Sequence, residues 1–120
     1  MIIDNSESVV EEKSFKFAVR IVKLCRYLQH NKHEYMISKQ LVRAGTSIGA
    51  NVAEGEQAQS RADFIHKLEI ALKECFETEY WLEILFKVNA IDKTTYDNLQ
   101  VWNNSQKTDS FHYNCKEETR

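Results

Sequence analysis

Apolar residues recur along most of the chain at steps of three and four, the spacing that places them on one side of an α-helix. Short polar stretches interrupt this pattern three times, so it predicts four helices. They are expected at residues 9–29 (or 13–29), 34–54, 60–88 and 92–104. Residues 105–120 lose the periodicity. We therefore expect a single domain over residues 1–104, followed by a mobile tail.

The helix boundaries carry their own signals. Ser60 with Asp63, and Ser8 with Glu11, have the spacing of a capping box. Asn89 is suited to a left-handed helix stop, and Asp92 to the next N-cap. The chain has no Pro and only three Gly, so the turn residues of β-hairpins are missing. The fold class predicted is all-α, an antiparallel up-and-down four-helix bundle.

Each helix carries an apolar stripe that can face a common core. The stripes are Phe17, Ile21, Leu24 and Leu28 in the first helix, Ile37, Leu41, Ala44, Ile48 and Val52 in the second, Phe64, Leu68, Ala71, Cys75, Leu82 and Phe86 in the third, and Tyr96, Leu99 and Trp102 in the fourth. Cys25 also lies on an apolar face. The three cysteines form no paired metal motif, and their odd number argues against a disulfide framework.

Length and composition narrow the class of protein. The chain has 120 residues, 42% hydrophobic and 28% charged, as in ordinary globular proteins. The acidic N-terminus lacks the basic flank and apolar run of a signal peptide, and no segment approaches the roughly 20 apolar residues of a membrane span. A cytoplasmic protein with no membrane partner is expected.

The sequence offers little for catalysis. A ferritin-like dimetal site needs inward carboxylates and two Glu-x-x-His pairs, and only Asp63 with His66 comes close. His30 and His33 fall in a predicted turn without acidic support. There is no Gly-rich phosphate loop and no nucleophile motif. We expect a protein that is not an enzyme and has no cofactor, metal or small-molecule substrate.

Charge is unevenly distributed although the chain nets only −2. Residues 13–43 hold eight bases and a single acid, whereas residues 61–104 are acidic overall. A basic surface of this kind is typical of proteins that bind nucleic-acid phosphates. The candidate contacts are Lys16, Arg20, Lys23, Lys39 and Arg43. The alternative is an assembly module without nucleic-acid binding, in which these bases pair with Glu69, Glu74, Glu77 or Glu83 of a neighbouring subunit.

A second apolar face on the third helix favours a homo-oligomer. This predicted interface consists of Ile70, Trp81, Ile84 and Val88. In the first helix, Phe15 and Val19 also widen the apolar arc beyond a usual core stripe. The open alternative is that the fourth helix covers this side of the third.

Small residues recur every four positions in the second helix, at Gly45, Gly49 and Ala53. Each Gly costs about 1 kcal/mol relative to Ala inside a helix, so a compensating contact is expected. A row without bulky side chains lets another helix approach closely. This stripe is therefore predicted to form a tight helix–helix contact.

The stretch TSIGANVAEG, residues 46–55, followed by QSRADFIHKLEIALKECFETEYWLEIL, resembles the bacterial 23S rRNA intervening-sequence proteins, also labelled S23 ribosomal proteins. The resemblance covers roughly residues 15–100. The positions of the second-helix signature, read as structural, are Ser47, Gly49, Asn51, Glu54 and Gly55. We expect Asn51 and Glu54 to hydrogen-bond the turn into the third helix, with a role at an interface as the alternative.

That family is similar in turn to the accessory protein of diversity-generating retroelements, a pentameric ring that binds nucleic acid and a reverse transcriptase. The resemblance implies an antiparallel bundle assembled as a homopentamer. It also implies RNA, DNA or a protein encoded nearby as the partner. The net charge of −2 departs from the strongly basic retroelement protein, so both function hypotheses stay open.

Overall fold

Four long helices make up the protein in a computed structural model that describes the backbone of residues 5–118 and the side chains of residues 9–110. The helices are α1 (Asn5–Asn31), α2 (Met36–Glu56), α3 (Arg61–Lys87) and α4 (Lys93–Glu118). Within the described residues there is no strand. The predicted all-α four-helix fold is confirmed.

Short turns connect the helices, so each runs antiparallel to the one before it. α1 packs against α2, α2 against α3, α3 against α4, and α4 closes the bundle against α1. Most of the side chains that meet on the bundle axis belong to the predicted apolar stripes. The largest fully buried apolar ones are Phe17, Ile21, Leu28, Leu41, Ile48, Leu68, Leu82, Leu85 and Leu99.

Side chains fix the turns at both ends of α3. The Ser60 hydroxyl accepts a hydrogen bond from the Asp63 amide at 3.1 Å, which confirms Ser60 as the N-cap. Asn89 has a φ of 63°, as expected for a left-handed stop. Asp92 accepts from the Thr95 amide at 2.7 Å and so caps α4. This bond lowers the pKa of the Asp92 carboxyl below its ordinary value.

The helix starts differ from those predicted. α1 begins at Asn5, so Ser8 lies inside the helix rather than at its N-cap as expected. α2 begins at Met36, because the Glu34 carboxylate accepts from the amides of Ile37 and Ser38 at 2.9 and 2.8 Å and thereby caps the helix from outside.

The predicted end of the fourth helix at Asn104 is wrong, since α4 continues to Glu118. Residues 105–110 belong to the bundle rather than to a tail. Gln106 and Ser110 are almost fully buried. Asp109 accepts a hydrogen bond from Lys13 of α1 at 2.9 Å, which fastens this part of α4 to the first helix.

Gly45 and Gly49 of α2 lie against α1, in agreement with the predicted close contact, whereas Ala53, the third residue of the predicted stripe, is exposed. A Cβ at Gly45 would stand 2.9 Å from Cγ2 of Ile21, closer than real Cβ atoms come to a neighbour. A Cβ at Gly49 would meet the Ser14 backbone at 3.3 Å. The two helix backbones therefore approach within a distance that larger residues would prevent.

Leucine at these positions should destabilise the bundle. We expect Gly45→Leu and Gly49→Leu each to cost about 1 to 3 kcal/mol or more, because Ile21 or the Ser14 backbone must move. Thermal and urea unfolding followed by circular dichroism would measure the loss. Ala62→Leu, at an exposed position of α3, is the matched control and should change stability little. Stability equal to wild type in both glycine variants would contradict the close contact.

Two cysteines lie in the core, where burial raises the pKa of the Cys25 and Cys75 thiols to about 12. A thiol reacts as its thiolate, so both should be inert in the folded protein. The ordinary thiol pKa of about 9.0 applies once the chain unfolds. The stabilisation from burying the neutral thiols is complete below pH 9 and is lost as the pH rises toward 12.

A thiol titration tests this core placement. In a Cys115→Ala background, we expect no rapid reaction with a chromogenic disulfide reagent at pH 8, and two reacting thiols after denaturation. Rapid reaction of either thiol in the folded protein would contradict its burial.

Candidate nucleic-acid and assembly surfaces

Two partly exposed bases of α1 bond to α4. The Lys13 ammonium donates to Ser105 Oγ at 2.8 Å as well as to Asp109. Arg20 donates to Asn98, and its guanidinium lies 5.6 Å from the centroid of the Trp102 ring. These contacts hold α1 to α4. The Arg20 side chain, predicted to contact phosphate, is therefore already bonded within the chain.

Lys16 stays on the outer surface of α1 but has a local partner. Its ammonium lies 2.9 Å from Glu12, one helical turn away. The hydrogen bond and the positive charge of Lys16 lower the pKa of the Glu12 carboxyl. Exposed pairs of this kind contribute little to stability. Lys16 therefore remains accessible, with its charge locally balanced.

Arg43 of α2 pairs with two carboxylates of α3. Its guanidinium donates to Glu77 and lies 3.5 Å from Glu74, and the Trp81 indole N–H also donates to Glu77 at 3.1 Å. Burial raises the pKa of the Glu74 carboxyl and the neighbouring Glu77 charge raises it further, whereas Arg43 opposes both. The base-to-carboxylate pairing predicted between subunits is thus made by Arg43 within one chain.

The bases near the α1–α2 turn have no such partners. Within the described residues, Lys23, Arg26, Lys32 and Lys39 form no ion pair and no side-chain hydrogen bond. The one acid between residues 23 and 39 is Glu34. Its carboxylate is held by the amides that start α2. We call these four bases the basic end of the bundle.

Two tyrosines lie in the same part of the chain. Tyr27 is 48% exposed and Tyr35 is 50% exposed. The Tyr35 hydroxyl lies 3.2 Å from Nδ1 of His33 in the turn. Neither ring, nor Arg26 or Lys32, is among the contacts predicted from the sequence. Their grouping appears only once the turn brings the end of α1 beside the start of α2.

A groove with apolar walls runs between α1 and α2. It has a volume of about 550 Å³ and carries two acidic residues, Glu11 and Glu12, on its α1 side beside Phe15. Phe15 is 66% exposed and Val19 39%, so the predicted wide apolar arc of α1 is uncovered. The groove residues are Glu11, Glu12, Phe15, Ala18, Thr46, Gly49, Ala50 and Ala53. We call this the α1–α2 groove.

The predicted interface on α3 is only partly exposed. Ile70, Trp81 and Ile84 are half-buried, with Trp81 against the core, whereas Val88 is 61% exposed. Phe76 and Tyr80, which are 56% and 57% exposed, were not among the predicted interface residues. The sequence does carry a signal for them, because apolar residues recur at four-residue steps from Phe76 to Val88, along one side of the helix. We call this row the α3 band: Phe76, Tyr80, Ile84 and Val88.

Some signature residues of α2 bond within their own helix, and others contact α3. Asn51 donates to the Ser47 carbonyl of its own helix at 2.8 Å, not to the turn as expected. Ser47 likewise donates to the Arg43 carbonyl. Glu54 does link α2 to α3, through an ion pair with Lys67 at 2.8 Å. Gly55 lies beside Phe64, where a Cβ would make ordinary contact.

Two classes of site are absent from the part of the chain that the structure describes. No three His, Cys, Asp or Glu side chains come together as they would around a metal ion. No helix has both the length and the apolar character required to span a bilayer.

A family model described as 23S rRNA-intervening sequence protein matches residues 6–117. The chain belongs to this family. A solved structure with the same fold is that of a protein of unknown function from the S23 ribosomal protein family of Bacteroides thetaiotaomicron VPI-5482. It is 48% identical, with a TM-score of 0.89 over 90% of this chain and 96% of that one.

Comparison with curated proteins gives no match. Membership in the 23S rRNA-intervening sequence family therefore establishes the fold but not the activity. The further similarity to the retroelement accessory protein stays a prediction.

Proposed function

We propose that the protein is a non-catalytic binding protein whose basic end holds the phosphate backbone of single-stranded nucleic acid. The observation that carries this proposal is the set of four unpaired bases toward one end of the bundle, with two exposed tyrosines in the same stretch of the chain. We therefore propose the contact at Lys23 and Lys39, two of the five bases expected from sequence, together with Arg26 and Lys32.

The chemistry of this end suits a flexible strand. Lys and Arg side chains without carboxylate partners can neutralise phosphates and release the ions condensed around them. Tyr27 and Tyr35 can stack against bases that a single strand leaves open, and such stacking tolerates any base. The expected ligand is therefore single-stranded RNA or DNA bound with little sequence preference.

Internal pairing argues against the other predicted contacts. Arg20 and Arg43 are held by Asn98 and by Glu77 of the same chain, and Lys16 faces Glu12. Using any of them for phosphate would require breaking a contact that already exists. The four bases of the basic end can bind phosphate without breaking an existing contact.

Assembly is the second candidate function, favoured by apolar side chains that one copy leaves uncovered. Phe15, Phe76 and Tyr80 are each more than half exposed, and Phe76 and Tyr80 lie one turn apart on α3. Exposed apolar side chains that lie together mark interaction sites more often than single ones do. We propose that the protein forms a closed homo-oligomer, with a pentamer as the expected size. A protein encoded nearby is a further candidate partner for the same surfaces.

The nucleic-acid proposal is tested by fluorescence anisotropy with a labelled single-stranded DNA of mixed sequence. We expect binding that weakens steeply with salt. Lys23→Glu with Lys39→Glu should reduce affinity at least tenfold for every sequence, and the loss of two phosphate contacts should lower the magnitude of the salt slope by about 1.4.

The matched control reverses two bases at the opposite end of the bundle. Arg61→Glu with Lys67→Glu makes the same change in net charge and should leave most of the affinity intact. No binding by wild type at low salt would reject the proposal. Equal loss in both double variants would show that only net charge matters and would reject the assigned surface.

A further inference from the structure

We infer that one nucleotide of the bound strand places its nucleobase in a pocket beside the basic end, against the ring of Tyr27 and next to Lys32. This inference rests on the nucleic-acid binding proposed above and adds a site for a nucleobase to the phosphate contacts. The pocket lies between the last turns of α1 and the turn that joins α3 to α4. Its volume of about 540 Å³ falls in the range of about 300 to 1,000 Å³ that is usual for small-molecule sites.

The least exposed lining residues are apolar and form the floor of the pocket. Ile91 is buried, and Leu24 and Ala90 are half-buried against the core. The Tyr27 ring, 48% exposed, forms a wall above this floor. The flat faces of a nucleobase are its least polar part, and a single strand leaves them free to stack on an exposed aromatic ring. The interior of the pocket therefore suits a planar ring better than a charged group.

Polar side chains from the α3–α4 turn form the rim. The exposed Asn89 lines the pocket, and its side-chain amide makes no hydrogen bond within the described part of the chain. Asp92 accepts from the Thr95 amide at 2.7 Å, and its carboxylate keeps further acceptor positions. Every nucleobase presents both donors and acceptors on its Watson–Crick edge. An amide and a carboxylate together can bond any of these edges, in keeping with binding that has little sequence preference.

The charges around the pocket orient the nucleotide. Lys32 lines the pocket, and Lys23 lies one turn before Tyr27 on the same side of α1. Neither ammonium has an ion-pair partner among the described residues. The amides that begin α4 would also attract an anion, but the Asp92 carboxylate already accepts from them and repels phosphate. The phosphate is thus placed toward the two lysines and the nucleobase toward Asp92. A nucleotide supplies both the planar ring and the anion that this arrangement requires.

The test fills the pocket without changing the charge of the protein. Ala90→Leu places a branched side chain on the floor. Fluorescence anisotropy would compare two labelled single-stranded DNAs of equal length, one of mixed sequence and one abasic throughout, so that the phosphates are the same. Wild type should bind the mixed strand more tightly. The variant should bind the mixed strand about fivefold or more weakly than wild type does. Its affinity for the abasic strand and its salt slope should stay unchanged, because no phosphate contact is lost.

Controls separate the pocket from general effects of substitution. Ala62→Leu makes the same change at an exposed position near the start of α3, and should bind both strands as wild type does. Tyr27→Ala replaces Ala90→Leu if circular dichroism shows that the latter fails to fold, and the same loss is expected. Tyr27→Phe keeps the ring and should retain the affinity of wild type for the mixed strand.

The outcomes distinguish this inference from the proposed function. Equal affinity of wild type for the two strands would overturn the pocket and leave the phosphate contacts standing. The same holds if the folded pocket variant binds the mixed strand as wild type does, or if it loses affinity equally for both strands. No binding of either strand by wild type at low salt would reject the proposed function, and the pocket with it.

Discussion

The close approach of α1 and α2 at Gly45 and Gly49 is the contact on which the rest of the structure depends. It lets Ile21 and Ser14 pack directly on the α2 backbone. The same row of small residues continues outward to Ala50 and forms the floor of the α1–α2 groove. A larger side chain would separate the helices and fill the groove at once. Core packing and a candidate interface therefore share one sequence requirement.

The helices could be predicted because periodicity and caps report local physics. The end of α4 could not, since its inward face changes from Leu99 to Asn103, Gln106 and Ser110, all of them buried. A reading based on hydropathy assigns such residues to solvent. The tertiary structure explains Asn103, whose side-chain amide donates to the Cys75 carbonyl of α3 at 2.8 Å. Polar residues that are buried against another helix leave no signal in their own segment.

The candidate site was only partly predictable for a related reason. The basic character of the α1–α2 hairpin was visible in the sequence, but which bases remain free depends on residues far away in the chain. Asp109 forms an ion pair with Lys13, and Glu77 forms one with Arg43. Spacing along one helix shows which bases share a side, not which side a partner helix covers. Exposed aromatic residues such as Tyr35 are equally ambiguous, because the same residue type fills cores.

The proposed assembly would strengthen the proposed nucleic-acid binding. All four bases of the basic end lie at one end of a bundle about 47 Å long. In a ring whose axis follows the helices, every copy presents that end on the same face. The unpaired bases of neighbouring copies then form one continuous positive surface, and the potentials of separate copies add. A chain with net charge −2 would in this way present a basic face to a nucleic-acid strand. The acids at that end, Glu34 and Asp92, already accept hydrogen bonds from the amides that begin α2 and α4, and several bases elsewhere in the bundle are paired.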